Sequence, residues 1–174
     1  MSTLVTPTIK YQESFLQGAE EFLDEERLDS TYSACLGYNI DSLRQQFVQF
    51  VHDLRALSDS RRLQKGWYLD HVLWLVDGDE YIGQTSIRPE LCTAHLITYG
   101  GHIGYSIRPT KRRCGYGKKI LALTLENSQA LGLDRVLVTC DSDNVGSRKI
   151  IEYNGGRFES AIGMTRSTFR TEGR

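Results

Sequence analysis

Between Arg112 and Lys118 the chain reads Arg-Arg-Cys-Gly-Tyr-Gly-Lys, a basic segment built around Gly115 and Gly117. Residues of these types at this spacing suit a phosphorylated ligand. Upstream, Gly104-Tyr105-Ser106-Ile107 is apolar at alternate positions and is stopped by Pro109, which reads as the end of a strand. Downstream, Ile120, Leu121, Leu123, Thr124 and Leu125 recur at helical spacing as far as Gly132. A tight basic turn therefore joins a strand to a helix. Its glycines let the backbone bend sharply and approach a ligand. The unpaired N–H groups of the first helical turn, with the positive dipole end behind them, then face a phosphate. A Walker loop needs Ser or Thr directly after its lysine, and here Lys118 is followed by Lys119 and Ile120. A dinucleotide turn needs a third glycine where Ile120 stands. Neither pattern fits.

A second constellation follows in the chain. Arg135-Val136-Leu137-Val138-Thr139-Cys140 reads as a strand, and Asp141-Ser142-Asp143-Asn144 as a polar loop. Val145 to Tyr153 reads as a short helix closed by Asn154-Gly155-Gly156. The two constellations together resemble the GNAT superfamily of N-acetyltransferases. Its acetyl-CoA loop, Arg/Gln-x-x-Gly-x-Gly/Ala, matches Arg112-x-x-Gly115-x-Gly117, with the family's aliphatic at Ile107 and its proline at Pro109. Its second landmark, Asn-x-x-Ala/Ser with a helix and Gly-Phe, matches at Asn144, Ser147 and Gly155, with Gly156 in place of phenylalanine. The resemblance is specific from about Tyr81 to Phe158.

The resemblance implies acetyl-CoA as cosubstrate, no metal, and direct transfer of the acetyl group to a primary amine. It places Arg112, Arg113, Cys114, Gly115, Tyr116, Gly117 and Lys118 around the pyrophosphate. Unpaired N–H groups at Ser106 and Ile107 would bond the pantetheine amides and polarise the thioester. Asn144 either holds the arm or caps the next helix beside Ser147. The proton-transfer groups are less legible. His102, near the start of the strand, is a candidate base or a satisfied structural histidine, and Glu90 is a second candidate. Relatives place a tyrosine seven residues after the asparagine, where this chain has Ile151. Tyr153 lies two positions on, about 200° further round a helix. Cys140 reads as a small buried hydrophobe rather than a nucleophile. The alternative to an enzyme is a CoA-binding sensor or interaction module that has lost catalysis.

The 174 residues suit a single domain spanning 1–174. Lys+Arg 21 against Asp+Glu 22 gives a net charge of −1, which argues against a nucleic-acid or anionic-membrane partner. The longest apolar run, Val72 to Val76, falls far short of the roughly 20 residues of a membrane span. The N-terminus has no secretion-signal pattern, and Cys35, Cys92, Cys114 and Cys140 have no metal-ligand spacing. The expected setting is cytoplasmic with reduced thiols. The expected partner is a small-molecule or peptide amine, with a homodimer left open.

The elements that must position the turn follow from periodicity. Residues 1 to 10 suggest an edge strand, and Ser14 to Leu28 a helix with an acidic outer face carrying Glu20, Glu21, Asp24, Glu25 and Glu26. That face is either solvated or a lure for a cationic acceptor. Asp41 is expected to cap a second helix reaching about Leu57. Trp67 and Tyr68 suggest a loop over the core or a substrate cage. Asp77-Gly78-Asp79 marks a hairpin between the runs Val72–Val76 and Tyr81–Ile87. An irregular excursion from Arg88 to Gly101, with a turn near Leu91 to His95, precedes the strand from His102 to Ile107. Phe158–Ser160 and Gly163–Phe169 would close the chain as a hairpin. The helix between Ile107 and Val136 makes those two strands parallel. The expected fold is α/β (α+β): a mixed, mainly antiparallel sheet with one parallel strand pair and helices on both faces.

Overall fold

A computed structural model describes residues 1–63, 66–162 and 166–172. Its seven strands are β1 (Thr3–Val5), β2 (His71–Asp77), β3 (Glu80–Ile87), β4 (Ile103–Ile107), β5 (Arg135–Asp141), β6 (Arg157–Ile162) and β7 (Arg166–Glu172). They form one sheet in the order β1-β2-β3-β4-β5-β7-β6. Neighbours pair antiparallel except β4 and β5, which run parallel. The closing strand expected from Gly163 begins outside the described residues, and its described part is β7.

Among the described residues the five α-helices are α1 (Gln12–Asp24), α2 (Ile40–Gln45), α3 (Phe47–Ala56), α4 (Tyr116–Ala130) and α5 (Val145–Tyr153). Alternation along β2 and β3 sends side chains to opposite faces. Val72, Trp74, Val76 and Tyr81 join Phe15 of α1 and Phe47, Phe50, Val51 and Leu54 of α3 in one core. Leu75 and Ile82 instead meet Ile107 and Ile120 of α4 on the other face. Phe15 is the centre of the first core: its ring stacks on Trp74 at 4.8 Å and meets Tyr81 at 4.9 Å. Burying each such side chain contributes about 1.5–3 kcal/mol.

Three expectations about boundaries change. The helix expected from Asp41 to Leu57 is two helices, α2 and α3, parted at Gln46. Its cap is Asn39, whose Oδ1 accepts from Ser42 N–H at 2.8 Å while Asn39 N–H donates to Ser42 Oγ at 2.9 Å. Asp41 lies inside the first turn, where its charge favours the helix dipole. The excursion before β4 carries its turn at Leu96–Gly100, later than Leu91–His95, with Leu96 N–H donating to Thr93 Oγ1 at 3.1 Å. α1 also ends earlier than Leu28, at Asp24.

Candidate active site

β4 and β5 share the register pair Ile103–Val138, and beyond it they separate. Arg108 N–H donates to Ile82 O and Arg88 N–H to His102 O. The ladder therefore turns the backbone groups of Ser106 toward β3 and those of Tyr105 and Ile107 toward the gap. Of the two N–H groups expected to face the pantetheine arm, Ile107 has that direction and Ser106 does not. A cleft of about 230 Å³ occupies the gap, bounded by Ile107 on one side and by Asn144, Ser147 and Ile150 on the other. Through Arg27, Tyr105 and Ser106 it continues into an inner chamber of about 210 Å³ over β3.

The turn before α4 closes the outer end. Gly115 takes the left-handed conformation, φ 85°, and helix α4 starts at the next residue. Among the described residues the N–H groups from Arg113 to Lys118 have no acceptor, and the ladder of α4 resumes with Lys119 N–H on Gly115 O at 3.3 Å. A run of unpaired amides at a helix N-terminus fits a pyrophosphate. The charged side chains nearby are mostly engaged within the protein. Glu21 accepts from Arg108 Nε at 2.7 Å and from Thr110 N–H at 3.1 Å. Glu25 accepts from both terminal nitrogens of Arg112 at 2.8 Å. Lys111 bonds Glu80 at 2.9 Å, and Tyr116 O–H donates to Asp77 at 3.0 Å. Lys118 Nζ sits 3.9 Å above the Tyr153 ring. The acidic face of α1 thus holds the turn and neighbouring cations: Glu20 pairs with Arg44.

The structure brings Ser106, Ile107, Arg112, Arg113, Gly117, Asn144 and Ser147 to the cleft wall. Cys114, Gly115, Tyr116 and Lys118 shape the turn without lining it. Asn144 Oδ1 accepts from Ser147 N–H at 2.9 Å, so this residue caps α5 and lines the cleft at once. None of the three sequence candidates for proton transfer lines either chamber. His102 Nδ1 accepts from Leu137 N–H at 2.9 Å and is committed to pinning β5. Burial, with the charges of Arg170 and Arg88, holds its imidazole below the ordinary value. Glu90 is exposed on the excursion, and Tyr153 is 60 % exposed on the outer side of α5. Ile151, at the expected tyrosine position, is fully buried.

Tyr105 is the site residue that sequence reasoning missed. It is the aromatic member of the strand-ending pattern, and it lines both chambers. Its hydroxyl is 2.7 Å from Ser147 Oγ. Burial pushes its phenol well up, against the opposing Ser147 hydrogen bond. Cys140 is buried in the core beside Ile103 and Ile151, and burial pushes its thiol up, which suits the small-hydrophobe reading.

A family model described as Acetyltransferase (GNAT) domain matches residues 21–157. The chain belongs to this family and is an acyltransferase. No curated protein matches it in sequence. Among solved structures it is similar to the microcin C7 self immunity acetyltransferase MccE in complex with acetyl-CoA and AMP. That pair has TM-score 0.68 and 16 % identity, covering 98 % of this chain and 92 % of the other. It is similar to RimJ of Mycobacterium smegmatis in complex with CoA-disulfide: TM-score 0.67, 16 % identity, coverage 98 % and 81 %. It is similar also to RimL, a ribosomal L7/L12 alpha-N-protein acetyltransferase in complex with coenzyme A: TM-score 0.65, 13 % identity, coverage 98 % and 93 %. At these identities the likeness concerns the fold alone. Among the described residues no helix is long and apolar enough to cross a membrane, and no cluster of His, Cys, Asp and Glu could hold a metal.

Proposed function

We propose that the chain is one N-acetyltransferase domain that moves an acetyl group from acetyl-CoA to a primary amine by direct attack. The observation that carries this reading is the run of unpaired amides from Arg113 to Lys118 opening onto a cleft between two parted parallel strands. Those amides suit the pyrophosphate, each charge-assisted hydrogen bond contributing about 1.5–3 kcal/mol. Arg113 lies on the cleft wall to add to them. The N–H groups of Tyr105 and Ile107, turned to the gap, are donors for the pantetheine arm and the thioester oxygen.

In the reaction the amine nitrogen forms a bond to the carbonyl carbon and the carbon–sulfur bond breaks. The nitrogen gives up one proton to solvent and the sulfur takes up one, so the transfer is proton-neutral overall. Ser147, backed by the Tyr105 hydroxyl, is the group on the wall suited to return a proton to sulfur. The relay offsets the missing tyrosine at position 151. Complexes of MccE with acetyl-CoA and of RimL with coenzyme A support the choice of donor. Three exposed free thiols suit a cytoplasmic setting.

The test is thiol release from acetyl-CoA across a broad amine library, together with a thermal shift on adding CoA. Protection by CoA with thiol release for at least one amine is expected. Protection without release from any amine would leave a CoA-binding module instead.

A further inference from the structure

The inner chamber is walled by buried polar atoms that lack partners. Gln84, Ser86 and Arg88 lie on one face of β3 and its continuation, and all three line the chamber. Gln84 is 3 % exposed and Arg88 8 %. Gln84 Nε2 donates to Ser30 O at 2.8 Å, which fixes the amide and leaves its buried Oε1 without a donor. Among the described residues the Arg88 guanidinium makes one long hydrogen bond, Nη2 to Gly100 O at 3.4 Å, and its Nε–H has no acceptor. It lies over Gly104, where a Cβ would stand 2.8 Å from Nη2, so the absent side chain makes its room.

Asp70 is near enough to feel the Arg88 charge, but it is hydrogen-bonded to Tyr32 and forms no ion pair with Arg88 among the described residues. Arg27 and Asp29, both exposed, stand at the rim with opposite charges. A buried guanidinium with no carboxylate in direct contact is incompletely compensated, and an anion bound to its fork reduces that cost. The register places the two unpaired groups along one line. Gln84 pairs with Ser106, at the junction with the cofactor cleft, and Ser86 pairs with Gly104, beneath the guanidinium. Two residues of strand separate these points, roughly 7 Å.

We propose that the acceptor is a small amine that carries a carboxylate, a free amino acid. Its amine lies at Gln84 Oε1 beside the thioester, and its carboxylate lies on Arg88. This assignment rests on the acetyltransferase reading above. Each unpaired atom then gains a partner of the opposite kind: an N–H for the Gln84 oxygen, carboxylate oxygens for the Arg88 fork. A chamber of about 210 Å³ suits a ligand of that size.

The experiment compares free amino acids, including β- and γ-amino acids, each with its own carboxamide, by thiol release from acetyl-CoA. For the accepted acids, kcat/KM is expected to exceed that of the carboxamide by on the order of a hundredfold. Arg88→Met should bring the ratio close to one, and Arg88→Lys should keep part of it, because the charge remains but the fork does not. Acids and carboxamides used alike, release only with amines that bear no acid, or a ratio that survives Arg88→Met each overturns the assignment of Arg88. Those results leave the acetyltransferase reading in place. No release from any amine overturns both. Should Arg88→Met not fold, the comparison of acid with carboxamide on the unaltered protein decides by itself.

Discussion

Glu25 grips Arg112 through two parallel hydrogen bonds, Nη1 to Oε1 and Nη2 to Oε2, both 2.8 Å. The residue that opens the glycine motif is therefore tied to the end of α1, and its Nε also donates to Ile107 O at 3.1 Å. The pair holds the Glu25 carboxyl below its ordinary value. Arg112 is in this geometry a brace between helix, strand end and turn. Both side chains are 37 % exposed, so water screens the pair, and its loss costs at most about 1 kcal/mol. Glu25→Gln and Arg112→Ala should each weaken CoA binding by a similar factor, about fivefold or less, and the double variant should be no weaker than either. Calorimetric titration with CoA measures all three. A hundredfold loss in Arg112→Ala alone would mean that the guanidinium sits on phosphate.

The neighbouring pair is a different case, because Arg108 is 9 % exposed and Glu21 20 %. Removing one partner strands a buried charge at a cost of about 3 kcal/mol. Glu21→Gln should then lower Tm by about 6–12 °C in a chain of this size. The same pair has a pH signature. Burial pushes the Glu21 carboxyl up, but the Thr110 N–H and the Arg108 guanidinium outweigh it and the net direction is down from 4.5. A folded pKa below the unfolded one contributes stability that is full above pH 4.5 and is lost as pH falls through the folded value. Between pH 7 and pH 3 the unaltered protein should lose more stability than Glu21→Gln. Parallel losses in thermal melts would deny the pair its role. Glu21 and Glu25 are thus committed to Arg108, Thr110 and Arg112 rather than free to attract a cationic acceptor.

The turn and the Asn144–Ser147 cap were legible because their chemistry is local. A left-handed glycine, a helix start and a capping amide each need particular residues a few positions apart, and a sequence records such spacing directly. The proton-transfer candidates stand away from the cleft for the opposite reason. His102 is fixed by Leu137 N–H, 35 positions away, and no local pattern records that bond. Tyr153 lies two positions after the buried Ile151, and that rotation carries it out under Lys118. Tyr105 was visible as a strand aromatic, but its partnership with Ser147 exists only after β4 and α5 meet. Arg88 and Gln84 were likewise in plain sight, one opening an irregular stretch and the other a polar residue inside a mostly buried strand. That Gln84 Oε1 and Arg88 Nε lack partners becomes evident only when their surroundings are known.

Gly117 has a tighter constraint than ligand approach alone. A Cβ built there would stand 2.5 Å from Ile150 Cδ1, so α4 and α5 meet at this point because the side chain is absent. Ile150 also forms part of the cleft wall. Gly117→Glu should abolish the thermal shift given by CoA while the protein without ligand stays folded. Gly117→Ala should reduce the shift, and Ile150→Ala in the same chain should restore part of it by clearing the contact. Melting curves with and without CoA read each variant. An unchanged shift in Gly117→Glu would move the CoA site elsewhere.

Ser147 and Tyr105 form the hydroxyl pair on which proton return to sulfur depends in the proposed reaction. Ser147→Ala should lower kcat by on the order of a hundredfold, the usual contribution of a positioned proton donor, with little change in the KM for acetyl-CoA. Tyr105→Phe should lower it less, because the serine hydroxyl stays and only its 2.7 Å partner is lost. The Tyr105 phenol is held above its ordinary 10.0 chiefly by burial, so it keeps its proton throughout the neutral and mildly alkaline range. Its ionisation should then contribute no alkaline fall in kcat below pH 10, and the pH profiles of Tyr105→Phe and the unaltered protein should have the same shape at different heights. An alkaline limb that Tyr105→Phe abolishes would mean that the phenol itself titrates during turnover. An unchanged kcat in Ser147→Ala would hand the proton to water in the cleft.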